Sequence, residues 1–212
     1  MRELYGRQLR QLDSEMANLG ALCEKAIASA TKALLDGDMT MARQVLPMSG
    51  EIEQKERDIV ALCMKLLLKQ QPVAGDFRTV SSALKMVTDM KRIGDHSADI
   101  AEIVTMANIS QTDNMLNIHD MAVATIKMVS DSIEAFIKRD LETARAVIDY
   151  DDVVDDCFNT VKLKLIELFS KPETDGEYAI DLLMIAKYFE RIGDNAVNIA
   201  QWVIFAITGE RD

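Results

Sequence analysis

Acidic residues spaced four apart are the feature of this sequence best suited to chemistry. Asp95 and Asp99 have this spacing, and so do Glu190 and Asp194. On a helix, residues four apart lie on one face with their Cβ atoms about 5 to 6 Å apart. The like charges repel each other there, and a bound cation or a basic side chain from a neighbouring helix would remove the repulsion. Each pair is therefore a candidate cation site or a candidate partner for a salt bridge.

Further acids precede each pair and could complete the two sites. Glu53 and Asp155 stand at matching positions of the two halves, and Asp151 lies four residues before Asp155. Two adjacent helices carrying such acids could surround a metal ion or a small cluster with carboxylate oxygens. All-oxygen sites favour hard cations such as Mg²⁺, Ca²⁺, Mn²⁺ or Fe³⁺. The alternative is a solvated acidic face, since the dipole of a helix also favours acids in its first turns.

Other catalytic signatures are absent from the sequence. His96 directly follows Asp95 and could supply a nitrogen ligand, but adjacent side chains on a helix point about 100° apart. The chain contains no Glu-x-x-His pair, no HExxH, no glycine-rich phosphate loop and no G-x-S-x-G elbow. We therefore expect no catalytic residues and no enzyme. A carboxylate-cluster metalloenzyme that hydrolyses phosphate esters, and a metal-free helical scaffold, are the alternatives.

The acids lie on long helices that the spacing of apolar residues predicts. Apolar residues recur in steps of three and four, and the chain has only three prolines and 5% aromatic residues, which is typical of helical proteins. The first helix should end near Gly37. A short helical piece at 39–46 should stop at Pro47, a second long helix should span 49–70, and a third should begin near Asp76 as its N-cap.

The same order of elements occurs twice along the chain. Arg-Ile-Gly-Asp stands at 92–95 and again at 191–194, an offset of 99 residues, and residues 35–45 match residues 137–147 at an offset of 102. We therefore predict an all-α fold of two tandem three-helix bundles with short loops and antiparallel neighbours. The predicted bundles span residues 1–107 and 108–212, and the polar stretch 108–117 joins them.

A glycine stands inside each copy of this motif. Glycine in the middle of a helix costs about 1 kcal/mol relative to alanine, so Gly94 and Gly193 need a structural reason. The usual reason is a neighbouring helix that crosses where no side chain intervenes. We interpret Arg92 with Gly94, and Arg191 with Gly193, as a helix-packing motif.

Charge and cysteine content limit the classes of function. A formal net charge of −11 argues against nucleic-acid binding, which depends on Lys and Arg. Cys23, Cys63 and Cys157 form no CxxC pair and are odd in number, which favours free thiols in a reducing cytoplasm. No run of apolar residues is long enough for a signal sequence or a membrane span. We expect a cytoplasmic protein that meets a membrane only through its partners.

The doubled motif resembles the signature of the PhoU family. It reads Lys-Arg-Ile-Gly-Asp-His-Ser-Ala-Asp-Ile-Ala at 91–101 and Glu-Arg-Ile-Gly-Asp-Asn-Ala-Val-Asn-Ile-Ala at 190–200, and the Ala-Arg-x-Val segments that end at Val45 and Val147 are similar as well. The resemblance covers essentially the whole chain. It implies two three-helix bundles and a negative regulator of phosphate uptake and of the phosphate-starvation response. The implied partners are the ATPase of a phosphate ABC transporter and a sensor histidine kinase, and we also expect a homodimer.

The resemblance implies, in addition, that each bundle binds metal through a paired acidic motif. Carried over, these motifs fall on Glu190 with Asp194 and on Asp95 with Asp99, and iron, zinc, manganese and magnesium are the candidate ions. Lys91 stands where the second half has Glu190. A protonated lysine cannot bind a cation, so the first site depends on its remaining acids. Metal occupancy could therefore differ between the two halves.

Overall fold

All regular structure in the described part of the chain is helical. The computed structural model describes residues 2–69, 74–107, 109, 117–170 and 175–210. Within these ranges, none of the helices is long and apolar enough to cross a membrane. The helices are α1 (Arg2–Asp36), α2 (Met39–Lys69), α3 (Ala74–Met106), α4 (Ile118–Lys138), α5 (Leu141–Asp149), α6 (Asp151–Phe169) and α7 (Gly176–Thr208).

The helices form two bundles that lie side by side. Helices α1, α2 and α3 pack on one another, and α4, α6 and α7 form the second bundle, with the short α5 packed on α4 and α7. The bundles meet where α3 packs on α7 and α1 packs on α4. Buried apolar side chains from both bundles form one continuous core. The predicted all-α fold of two tandem three-helix bundles is confirmed.

The bend after the first helix of each bundle has the same structure in both halves. Gly37 and Arg139 occupy matching positions, and both adopt the left-handed conformation, with φ of 65° and 58°. The next residue is an aspartate that caps the following helix. Asp38 Oδ1 accepts hydrogen bonds from the backbone N–H groups of residues 40 and 41, and Asp140 accepts the equivalent bonds from residues 142 and 143. The internal repeat therefore extends to backbone conformation and capping.

The predicted break at Pro47 is wrong, because α2 continues through this residue. Proline in a helix costs about 3 kcal/mol, since it removes a backbone donor and its ring crowds the preceding turn. Val45 and Ile52, on either side of Pro47, are both fully buried, so packing of both parts of α2 on the bundle offsets this cost. The second half does break near the matching point, where Tyr150 alone separates α5 from α6.

Two further boundaries bear on the sequence predictions. Helix α3 begins at Ala74, and Asp76 lies in its first turn rather than at the N-cap. An acid in that turn still interacts favourably with the helix dipole, which explains why it resembled a cap in the sequence. Asn108 and residues 110–116 lie outside the described residues, so the boundary between residues 107 and 108 and the joint at 108–117 stay predictions.

Candidate metal centre

Four carboxylates from two helices lie near one another in the second bundle. Asp151 and Asp155 lie in the first two turns of α6, and Glu190 and Asp194 lie one turn apart in the middle of α7. Desolvation, together with the charges of Asp155, Asp194 and other nearby acids including Glu190, raises the pKa of Asp151 to about 6. We call these four residues the acidic cluster. Burial first, and the neighbouring negative charges second, disfavour the ionised form of Asp151.

Asp194 is in a similar electrostatic environment. Desolvation raises the pKa of its carboxyl group, and the charges of Glu190 and Asp155 act in the same direction. Lys187 and Arg191 oppose these effects without cancelling them. Burial is thus the first cause that disfavours the ionised form of Asp194, and the neighbouring acids and bases of the acidic cluster act on it in opposite directions.

Helix α6 packs on α7 beside Gly193, at the acidic cluster. A Cβ atom on Gly193 would lie 3.4 Å from Oδ1 of Asp151, 3.4 Å from Cγ1 of Val154 and 3.8 Å from the sulfur of Met128. Val154 is fully buried and fixes this end of α6 against the core. The Asp151 carboxylate therefore lies at the surface of α7, one turn from Glu190, with room for a methyl group between it and Gly193.

Glu190 is the one acid of the cluster that forms an ion pair with a described lysine. The ammonium group of Lys187 contacts Oε2 of Glu190, and it also lies 5.3 Å from the centre of the Phe158 ring. Among the described residues, no three Asp, Glu, His or Cys side chains converge as closely as the ligands of a metal ion do. In chemical type, the oxygens of four neighbouring carboxylates are the donors that a hard cation prefers. Binding would require these side chains to turn toward a common point and Glu190 to leave Lys187.

The equivalent place in the first bundle has a different chemistry. The offsets of 102 and 99 residues place Ser49 at the position of Asp151 and Lys91 at that of Glu190. Lys91 forms a salt bridge of 2.5 Å with Oδ2 of Asp95, and the Ser49 hydroxyl donates a hydrogen bond of 3.2 Å to Oδ1 of the same group. Both oxygens of Asp95 are therefore already bound by the protein itself.

The other acids predicted for the first site also have partners. Glu53 forms an ion pair of 3.0 Å with Arg57, and Oδ2 of Asp99 lies 3.5 Å from Nδ1 of His96. Burial lowers the pKa of His96, whose ring lies 5.5 Å from that of Tyr188. The structure does not bring these acids together as it does the acidic cluster. Metal binding by Asp95, Asp99 and Glu53 stays a prediction, and it would require these acids to leave their present partners.

Gly94 has a packing role that differs from that of Gly193. A Cβ atom on Gly94 would lie 2.7 Å from Cδ1 and 3.0 Å from Cγ2 of Ile52, closer than real atoms approach. Ile52 stands at the position of Val154, so α2 packs on Gly94 as α6 packs on Gly193. In the first bundle the space is filled by an isoleucine, and in the second by a valine and a carboxylate.

Sequence reasoning did not identify Ser49 or Lys187 as part of these sites. The signal for Ser49 was present, because the offset of 102 residues aligns it with Asp151. Lys187 lies three residues before Glu190, one turn of helix away, which is a common spacing for an ion pair. Its importance depends on the burial of Glu190, and the local sequence does not show that burial.

Comparisons with known proteins agree with this architecture. The model of the PhoU domain matches residues 16–104 and 118–203. The phosphate-specific transport system accessory protein PhoU homolog of Clostridium acetobutylicum is 31% identical over 212 residues, which cover 99% of this chain and 97% of that protein. The crystal structure of PhoU from Pseudomonas aeruginosa is 30% identical and superposes with a TM-score of 0.90, covering 97% of this chain and 100% of the other.

A second solved structure supports the same conclusion. The phosphate transport system regulatory protein PhoU from Streptococcus pneumoniae is 26% identical to this chain and superposes with a TM-score of 0.90. The alignment covers 98% of this chain and 99% of that one. The family model matches this chain twice, and the relatives and solved structures match it over nearly its whole length. The chain therefore belongs to the PhoU family.

Proposed function

We propose that this protein is a non-enzymatic regulator of phosphate transport that restrains phosphate uptake and the phosphate-starvation response. Its relatives are named as accessory proteins of a phosphate-specific transport system, and they match nearly the whole of this chain. The match over both bundles is the observation that carries the proposal. The regulator acts by contact with the ATPase of a phosphate ABC transporter and with a sensor histidine kinase.

The acidic cluster gives this regulator a cation site in its second bundle. Asp151, Asp155, Glu190 and Asp194 would hold the ion, and the ion would supply the positive charge that the cluster lacks. The raised pKa of Asp151 and of Asp194 supports this role, because a bound cation would offset both the desolvation and the repulsion that disfavour their ionised forms. Iron, manganese, magnesium and zinc are the ions to test.

The bound ion would have a structural effect at the junction of α6 and α7. Helix α6 begins at Asp151 and carries two members of the cluster, whereas α7 carries the other two. A cation held between them would fix the start of α6 against α7. We infer that metal binding stabilises the second bundle and leaves the first bundle unchanged.

Recovery of partners from cells tests the regulatory role. The protein would be captured from phosphate-replete cells and its co-purifying proteins identified, with Asp194→Asn in parallel as the cluster variant. The proposal predicts that a phosphate-transporter ATPase, a histidine kinase, or both are recovered with the wild-type chain. Recovery of neither would remove the main support for regulation by contact. Size-exclusion chromatography with light scattering would test the expected homodimer on the same material.

The acidic cluster is also the place where the alternative function, a metalloenzyme, can be tested. A set of carboxylates that binds a cation could activate water toward a phosphate ester. Hydrolysis of phosphate monoesters should be measured with each candidate metal, for the wild-type chain and for Asp194→Ala. We expect no turnover above the metal-only background. Turnover that Asp194→Ala abolishes would contradict the regulator proposal.

A further inference from the structure

A surface cavity lies where the two Arg-Ile-Gly-Asp motifs meet, at the crossing of α3 and α7. It has a volume of about 340 Å³. Two arginines, one from each motif, stand at matching positions of the repeat and line the same space. The lining residues are Arg92, His96, Arg191, Asp194 and Asn195.

The two guanidinium groups retain most of their donors for a ligand. Arg92 has a more than half-exposed side chain and a single contact of 3.2 Å to Asp89, which leaves most of its five N–H groups uncommitted. Arg191 lies 5.6 Å from the centre of the Tyr188 ring, which supports its guanidinium plane. Within the described ranges, no carboxylate lies within 4 Å of Arg191.

The cavity brings two arginines together on a protein of net charge −11. Its lining contains two permanently positive groups and the carboxylate of Asp194, and the carboxylate of Asp89 lies beside it in contact with Arg92. The Asn195 amide donates a hydrogen bond of 2.6 Å to the backbone carbonyl of Arg191 and adds no net charge to the cavity. Two planar guanidinium groups facing one space match the geometry of a tetrahedral oxyanion, whose oxygens accept paired N–H donors.

We propose that this cavity binds a small tetrahedral oxyanion, inorganic phosphate in the first instance, between the guanidinium groups of Arg92 and Arg191. Each repeat supplies one arginine, so the site exists only where both bundles are packed together. Occupancy of the cavity would tie α3 to α7 and thereby stabilise the contact between the bundles.

Asp194 connects this cavity to the acidic cluster. It lines the cavity and is also one of the four clustered carboxylates. Its negative charge opposes anion binding, and a cation held by the cluster would neutralise it. Neutralising a carboxylate that lines an anion site near a protein surface removes a repulsion large enough to change affinity about threefold or more. The cavity therefore binds phosphate more tightly when the cluster holds a cation, and this second step rests on the proposed cation site.

Calorimetric titration of phosphate into the full chain tests the first step. The titration compares three proteins: the wild type, the double variant Arg92→Gln/Arg191→Gln and the control Arg145→Gln. Arg145 is an exposed arginine that lines a different cavity on α5. Loss of the charge-assisted hydrogen bonds should weaken binding about tenfold or more in the double variant. The control should bind as the wild type does. Absence of phosphate binding in the wild type, or equal binding in the double variant, would overturn the proposal.

The second step is tested by the same titration in Mg²⁺ and in EDTA. Phosphate affinity of the wild type should rise about threefold or more with Mg²⁺, whereas Asp194→Asn should bind phosphate with the higher affinity in both buffers. If neither Mg²⁺ nor Asp194→Asn changes the affinity for phosphate, the coupling between the acidic cluster and the cavity is overturned. A separate titration of Mg²⁺ alone shows whether the cluster binds a cation. If it does not, the proposed cation site fails, while the dependence on Arg92 and Arg191 still decides the phosphate site.

Discussion

Replacing Asp151 by asparagine should stabilise the metal-free protein at neutral pH. The pKa of this carboxyl group is raised from 3.8 to about 6 in the folded chain, so the folded state binds its proton more tightly than the unfolded state does. The stability that this group contributes is present below about pH 4 and is lost as the pH rises through about 6. Asparagine keeps the size of the side chain and cannot ionise. It therefore removes the cost of the charge.

The size of the effect follows from the same difference in pKa. For a fully desolvated group the difference would correspond to about 3 kcal/mol. Asp151 is only partly buried, and solvent screening reduces the expected gain to about 1 kcal/mol. For a chain of this length a gain of that size raises the melting temperature by about 2 to 4 °C.

Urea unfolding followed by far-UV circular dichroism measures this gain. Wild type, Asp151→Asn and the control Asp156→Asn would be unfolded in EDTA between about pH 4 and pH 8; Asp156 is an exposed acid on the same helix. The variant should equal the wild type near pH 4 and exceed it at pH 7, and the control should follow the wild type. Adding Mn²⁺ should stabilise the wild type and not Asp151→Asn. If Asp151→Asn is less stable than the wild type at pH 7 in EDTA, the reasoning about the cluster is wrong.

Three further predictions concern the two glycines and the first bundle. Gly94→Ala should destabilise the fold by about 1 to 2 kcal/mol in urea unfolding, because the added methyl group overlaps Ile52. A variant as stable as the wild type would contradict the packing at this contact. Gly193→Ala should be neutral or should stabilise the fold by up to about 1 kcal/mol in the same assay, because the neighbours of the added methyl group lie at ordinary contact distance. A loss of stability as large as that of Gly94→Ala would refute the difference between the two glycines. The double variant Ser49→Asp/Lys91→Glu gives the first bundle the acids that the second bundle has at the matching positions. The metal bound per chain should rise on elemental analysis, and an unchanged metal content would count against the matching of the two sites.

The helices could be predicted from the sequence because their apolar residues recur with the helical period. The repeat was visible for the same reason, together with the identical Arg-Ile-Gly-Asp tetrapeptides. The continuity of α2 through Pro47 could not be predicted, because local propensity argues for a break and only packing on the core overrides it. The start of α3 at Ala74 was missed by two residues, since an acid in the first turn of a helix resembles a cap.

The acids of the candidate site were predicted, but their relation to their neighbours was not. Spacing along one helix identified Glu190 with Asp194, whereas the approach of Asp151 to α7 depends on packing between helices. The difference between the bundles was foreseen from Lys91 alone, and the structure adds the hydrogen bond from Ser49. The cavity at the crossing of α3 and α7 joins residues about a hundred positions apart, and no local pattern predicts which faces of the two helices meet.

Metal content of purified variants tests the central claim most directly. Wild type, Asp194→Asn and Asp95→Asn would be loaded with manganese, dialysed and analysed for metal per chain. The cation site in the acidic cluster predicts that Asp194→Asn loses the bound metal and that Asp95→Asn retains all of it. Metal retained by Asp194→Asn, or lost equally from both variants, would contradict the assignment of the site to the second bundle.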